Sequence, residues 1–268
     1  MRIRSIGLLV LVEIGVSICS GLFAAEPERH RANEIPVLNP SREANEPAVA
    51  VVELFTSEGC SSCPPADHVL QSLVEQQAIS GDEVYALSFH VDYWDKLGWR
   101  DRFADKTFTT RQRYYAKTLQ LDQIYTPQMI VNGQIEFVGS NRETASEAIS
   151  TALRIKSSAK ITLSALLQDS TKVAVKYLAE APAGSVLNIA IVEVQAQSDV
   201  KRGENAGATL SHANVVRVFK TLDLSKQESG TLDIQLPKGL SVENTQVIGY
   251  VQDRSLRVLG AAKAAPKK

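Results

Sequence analysis

Glu53-Leu54-Phe55-Thr56-Ser57-Glu58-Gly59-Cys60-Ser61-Ser62-Cys63-Pro64-Pro65-Ala66-Asp67 joins an apolar run to an amphipathic one through a turn that carries two cysteines. Upstream, Ala48 to Phe55 is apolar except for Glu53, the pattern of a strand buried on both faces of a parallel or mixed sheet. Downstream, Val69, Leu70, Leu73 and Val74 recur at helical spacing. Thr56-Ser57-Glu58-Gly59 is the turn between them, so Cys60 and Cys63 fall at the amino terminus of a helix. Val84 to Val91 reads as a second strand, and the intervening helix has the length that a right-handed parallel crossover requires. The unit is βαβ.

The polar and aromatic stretch from Asp92 to Asp105 leads into a second helix, with Thr109 and Gln112 as its expected capping box. Thr126-Pro127 then opens a strand from Gln128 to Val131. Asn132-Gly133 is a strong hairpin signal, and Ile135 to Val138 is the returning strand. Ser140 and Glu143 suggest a further capping box before a closing helix, which is apolar on one face at Ala145, Ala148, Ile149, Ala152 and Leu153. The expected order over 48–156 is β-α-β-α-β-β-α.

That order, with a C-x-x-C at the start of the first helix and Thr-Pro before the third strand, resembles the α/β thioredoxin-like fold. The string from Glu53 to Asp67, together with Phe89-His90-Val91-Asp92-Tyr93-Trp94-Asp95, resembles an uncharacterised family of secreted bacterial thioredoxin-like proteins with no settled function. The resemblance implies a cis peptide bond at Thr126-Pro127 beside the disulfide, with the backbone there free to pair with a substrate strand. It also implies that a buried acid in the first strand serves the resolving cysteine. Glu53 is the candidate, seven residues before Cys60, and burial should raise its pKa and ready it to exchange a proton. The other reading of Glu53 is an outward-facing strand residue.

A helix amino terminus favours a thiolate, because its unpaired N–H groups and dipole lower a thiol pKa from about 8.5. Cys60 is therefore the candidate nucleophile, facing water, and Cys63 the resolving thiol that attacks the mixed disulfide. Pro64 disfavours the helical region for Cys63, which predicts a distorted first turn. His90, at the end of the second strand, and Trp94 are auxiliary candidates. Two alternatives remain. The pair is a fixed structural bridge in a non-enzymatic binding or scaffold protein, or Cys60, Cys63 and His90 handle copper. Copper-delivery proteins of thioredoxin fold resemble the latter arrangement, though with C-x-x-x-C. Asp92 and Asp95 are read as covering the next helix.

From Lys160 to Ala262, seven alternating segments (160–167, 171–180, 186–197, 209–221, 231–236, 245–253 and 256–261) predict a smaller all-β, immunoglobulin-like sandwich over 159–262. His212 and Arg217 are read there as a solvated edge. The loop from Lys201 to Gly207 lacks the Gly-Lys-Ser/Thr ending of a phosphate loop, so no nucleotide is expected. Residues 263–268 read as a disordered tail.

The 268 residues carry 29 Lys and Arg against 30 Asp and Glu, so no bulk positive field favours nucleic acid. Arg2 and Arg4, the apolar run Ile6 to Ile18 and the small residues up to Ala25 have the layout of a secretory signal peptide, 1–25. Left uncleaved, that segment would be a membrane anchor. Ile18 before Cys19 argues against lipidation, and 26–47 reads as a disordered lead-in. Export to the periplasm or medium would leave Cys60 and Cys63 alone in an oxidising compartment. The expected activity is exchange of their disulfide with protein or small-molecule thiols, without any bound cofactor.

Overall fold

The computed structural model describes residues 47–80 and 83–267, so the signal peptide and nearly all of the lead-in lie outside the described residues. The first half runs β1 (Ala50–Thr56), α1 (Pro64–Ser80), β2 (Val84–His90), a 3-10 turn Asp92–Leu97, α2 (Lys106–Thr118), β3 (Gln128–Val131), β4 (Ile135–Val138) and α3 (Arg142–Ala152). The second half is β5 (Lys160–Asp169), β6 (Lys172–Glu180), β7 (Val186–Asp199), β8 (Thr209–Asp223), β9 (Ser229–Gln235), β10 (Thr245–Gln252), β11 (Val258–Ala264) and β12 (Pro266–Lys267). The architecture is mixed α/β and rich in sheet.

Two sheets form. One has eight strands in the order β11-β10-β7-β8-β2-β1-β3-β4, the other four in the order β12-β5-β6-β9. The boundary near residue 157 is thus a seam within one sheet. Parallel β8 pairs with β2 at Ser88 and Val215, and the described residues fall in one compact unit. Strand alternation separates the cores. On β7, Leu187, Ile189 and Ile191 face the four-stranded sheet, packing with Val173, Val175 and Ile234. Ala190 and Val192 face the other way, into a core with Phe55, Phe89, Phe108, Tyr115 and Tyr250. A third core lies between α1, α3 and the opposite face of β1, around Val52, Leu54, Ala66, Leu70 and Ile149.

Four local expectations need correction. Helix α2 begins earlier than its supposed capping box: Asp105 is the cap and accepts from Thr107 N, while Thr109 is buried and donates to Asp92. Helix α3 is capped by Asn141, which accepts from Thr144 N, in place of Ser140. The tail is not free, since Lys263 and Ala264 complete β11, and β12 pairs with β5 at Ala165 and Leu166. Backbone hydrogen bonds along an open strand edge account for this pairing, and composition does not record them. Finally, β8 is an interior strand between β7 and β2, so His212 is buried and is not at a solvated edge.

The hairpin at Asn132-Gly133 is present, with both residues at positive φ, 48° and 70°. A Cβ at Gly133 would run into the Leu256 carbonyl, whereas one at Gly207, also at positive φ, would meet nothing within 4 Å. Gly133→Ala should therefore cost about 3 kcal/mol, and Gly207→Ala about 1 kcal/mol, read from urea unfolding midpoints.

Candidate functional site

The chain leaves β1 at Thr56 and tightens at once: Cys60 N donates to Ser57 O at 3.2 Å and Cys63 N to Cys60 O at 3.2 Å. The N–H groups of Ala66 and Asp67 then reach Cys63 O, so Cys63 stands just ahead of α1. Pro64 and Pro65 occupy the first two helical positions, where an N–H would have no helical partner. Cys60 and Cys63 form a disulfide. Thr126–Pro127 is cis. The antiparallel register of β1 and β3 runs to Phe55 opposite Gln128, which carries Pro127 alongside Thr56 at the disulfide end of the sheet. Trp94 bridges the two, donating from Nε1 to Thr126 Oγ1 at 2.8 Å, and its Cβ stands 3.2 Å from where a Gly59 side chain would begin.

One expectation about this turn fails. Both cysteines have no exposed surface, although Ser61 and Ser62 between them are exposed. A segment from far along the chain is hydrogen-bonded to this turn. Asn205 Nδ2, in the β7–β8 loop, donates to Glu58 O at 2.9 Å and to Cys60 O at 3.0 Å. Glu204 Oε2 accepts from Ser61 N at 3.0 Å and from Ser61 Oγ at 2.7 Å.

Beneath the turn lies a group of buried charged side chains that the sequence reading did not assemble. His212, from β8, places Nε2 3.7 Å from Glu58 Oε1 and Nδ1 3.7 Å from Asp67 Oδ2. Beside it His90 Nδ1 meets Asp101 Oδ2 at 2.7 Å, and the two imidazoles cross edge to face with centroids 4.7 Å apart. Trp99 Nε1 donates to Glu58 Oε2 at 2.6 Å, and Thr56 Oγ1 donates to Asp67 Oδ2 at 3.3 Å. Burial disfavours a charge on His212, but the Asp67 and Glu58 carboxylates outweigh it and push its pKa up to about 10. Burial likewise opposes ionisation of Glu58 and Asp101, yet His212 and His90 respectively hold each below the ordinary carboxylate range.

Glu53 is buried, but the structure does not bring it to the disulfide. It shares its β1 face with Val51 and Phe55, away from α1, which packs on the face of Val52 and Leu54. Arg111 Nε donates to Glu53 Oε2 at 2.6 Å and Nη2 to Oε1 at 2.8 Å. Nη2 also reaches Tyr250 and Gln252 of β10, so the pair ties the two halves of the chain together. Cys60, Cys63 and His90 do not assemble as a metal-holding group: the sulfurs are bonded to each other and His90 Nδ1 is engaged by Asp101. Among the described residues no set of three or more His, Cys, Asp or Glu side chains is arranged to hold a metal ion. No described helix is long and apolar enough to cross a membrane.

Residues 51–252 match the family model described as protein of unknown function, DUF1223. The chain belongs to this family. A solved crystal structure of an Agrobacterium tumefaciens protein is similar to this DUF1223 chain at 27% identity and a TM-score of 0.61, covering 81% of this chain and 95% of that one. No curated protein matches it. Of the residues that the sequence reading did not assemble, Glu58 N donates to Asp101 Oδ2 at 2.9 Å within the first half, and the pairing of β8 with β2 brings His212 to Glu58 and Asp67. The one local signal was the unusual density of acids and histidines around the C-x-x-C and after Phe89.

Two stability measurements test this DUF1223 site. Arg111→Met leaves Glu53 buried and uncompensated and should cost about 3–5 kcal/mol in urea unfolding. A base whose folded pKa is raised stabilises fully below its unfolded value and loses that effect as pH rises through the folded one. The His212 contribution should therefore be complete below about pH 6.5 and decline towards about pH 10. The slope should not exceed about 1.4 kcal/mol per pH unit, and His212→Gln should remove that decline.

Proposed function

We propose that the protein is an exported thiol-disulfide oxidoreductase, with a thioredoxin-like fold over 48–156 continued by an immunoglobulin-like sandwich over 159–262. The observation that carries the reading is the Cys60–Cys63 disulfide immediately ahead of α1, at the end of the sheet where β1 ends and β3 begins. In the exchange, a partner thiolate attacks Cys60 Sγ, the Cys60–Cys63 bond breaks, and Cys63 leaves as a thiolate that takes up a proton. A second thiol of the partner then displaces Cys60, so the partner ends as a disulfide and the two electrons reside on two protein thiols.

The acid–base part passes from Glu53 to Asp67. Asp67 lies in the first turn of the helix that Cys63 precedes, and its N–H donates to Cys63 O at 3.1 Å, which keeps it next to the resolving cysteine. Its Oδ1 is buried without a partner, while Oδ2 faces His212. Trp94 and Thr126 line the approach, and Thr126–Pro127 is where a substrate strand would lie. Export rests on the layout of residues 1–25, and a persistent disulfide fits an oxidising compartment. Thiols and disulfides of proteins or small molecules are the partners; neither nucleic acid, nucleotide nor a bound cofactor has a part.

Full burial of both sulfurs favours a second reading, a fixed bridge in a non-enzymatic binding or scaffold protein. One assay separates the two. With a dithiol as electron donor, the full chain should reduce a model protein disulfide, Cys60→Ser should abolish turnover, and Cys63→Ser should accumulate the mixed disulfide. Turnover no greater with the wild type than with Cys60→Ser would establish the fixed bridge.

A further inference from the structure

The two serines between the cysteines are open to solvent, yet the sulfurs are not; Ser62 Oγ lies 3.3 Å from Cys60 Sγ, and a segment from far along the chain is hydrogen-bonded across the turn as a roof. The roof is the β7–β8 loop, residues 200–208. Every hydrogen bond it makes to the turn goes through Glu204 or Asn205, and each ends on the backbone of Glu58, Cys60 or Ser61, or on the Ser61 hydroxyl. We propose that this loop is a displaceable cap that shields the oxidised Cys60–Cys63 bridge and must move before a partner thiolate can reach it.

The construction of the loop fits that task. Its neck is closed by Val200 N to Ala208 O at 2.9 Å and Gly207 N to Val200 O at 2.8 Å, which fixes where the loop leaves the sheet. Its tip is made of exposed or half-buried residues and contains no buried apolar anchor. Gly203 lies against Trp99, with 3.1 Å from the Trp99 Cβ to where its own would stand, while Gly207 has open space around it. A segment held by a few solvent-accessible polar bonds opens at far lower free energy than the sheet that carries it.

The cap also biases the chemistry. The Glu204 carboxylate occupies Ser61 N–H and sits next to Cys60, where its negative charge opposes a thiolate. Once the loop leaves, the Ser61 N–H is released and the opposing charge is gone, which favours that thiolate. A displaced loop leaves the Ser61 N–H and the Glu58 carbonyl without those partners, while Cys60 O keeps the bond from Cys63 N, and an extended polypeptide carries the complementary groups along its backbone. The partner this geometry fits is therefore a protein segment bearing the reacting thiols.

The purpose of the cap rests on the oxidoreductase reading, but its test does not. In the full chain, the rate of reduction by dithiothreitol is followed by alkylation and peptide mass at Cys60, for the wild type and for Glu204→Ala with Asn205→Ala. The double variant should be reduced about tenfold faster, the scale set by losing a charge-assisted hydrogen bond from the closed state. Equal rates would overturn the proposal. Urea supplies a check that does not depend on the variant. Reduction through cap opening should rise only weakly with urea, whereas a wild-type rate that climbs with the full slope of global unfolding would show that the bridge is reached only by unfolding, and the cap would be refuted. A faster double variant that still turns over no model disulfide would sink the oxidoreductase reading and leave the cap standing.

Discussion

A carboxylate taken out of water needs an opposite charge where it lies, and beneath the disulfide turn two carboxylates share one. Glu58 ends the turn from β1, Asp67 begins α1, and the imidazole between them comes from His212 on β8, a strand that enters more than 140 residues later. Without that imidazole, two negative charges would face each other in the dry interior. With it, burial becomes tolerable and the turn acquires a floor. The position of the cysteines therefore depends on the second half of the chain as much as on the first.

The same logic runs through the sheet. β2 is hydrogen-bonded to β1 on one side and meets β8 on the other, so the seam between the halves lies inside one sheet. Arg111 and Glu53 form a second ionic tie, from β1 and α2 to Tyr250 and Gln252 of β10. An acid that looks catalytic from its place in an apolar strand is here a structural counter-ion. Asp67, one turn into the helix that follows Cys63, lies instead beside His212 under the disulfide turn.

The charged groups around the turn come from outside the Cys60–Cys63 segment. The spacer residues contribute hydroxyls but no charge. The charges that bear on the pair are Glu204 above, Glu58 and Asp67 below, and His212 behind them. The β7–β8 loop meets the turn at the Glu58 and Cys60 carbonyls and at Ser61, and His212 meets it at the Glu58 and Asp67 carboxylates. The turn is thus held between two parts of the all-β segment.

Element order was legible in the sequence because it is written in local periodicity. The alternation of Val84 to Val91, the helical spacing of Val69 to Val74 and the Asn132-Gly133 turn each express a preference of neighbouring residues, and the strands of the second half followed the same rule. The cysteine pair at a helix start was equally local. Helix caps slipped by one to four residues because Asp105 and Asn141 competed with residues that had matching chemistry nearby. Exposure of the sulfurs, the partner of Glu53 and the burial of His212 were beyond reach, since each depends on a strand or loop distant in sequence that folds back against the first. Which side chains form the elements is a property of adjacent residues; which charges are neutralised and which sulfurs meet water is decided only when β8 and its loop close over them.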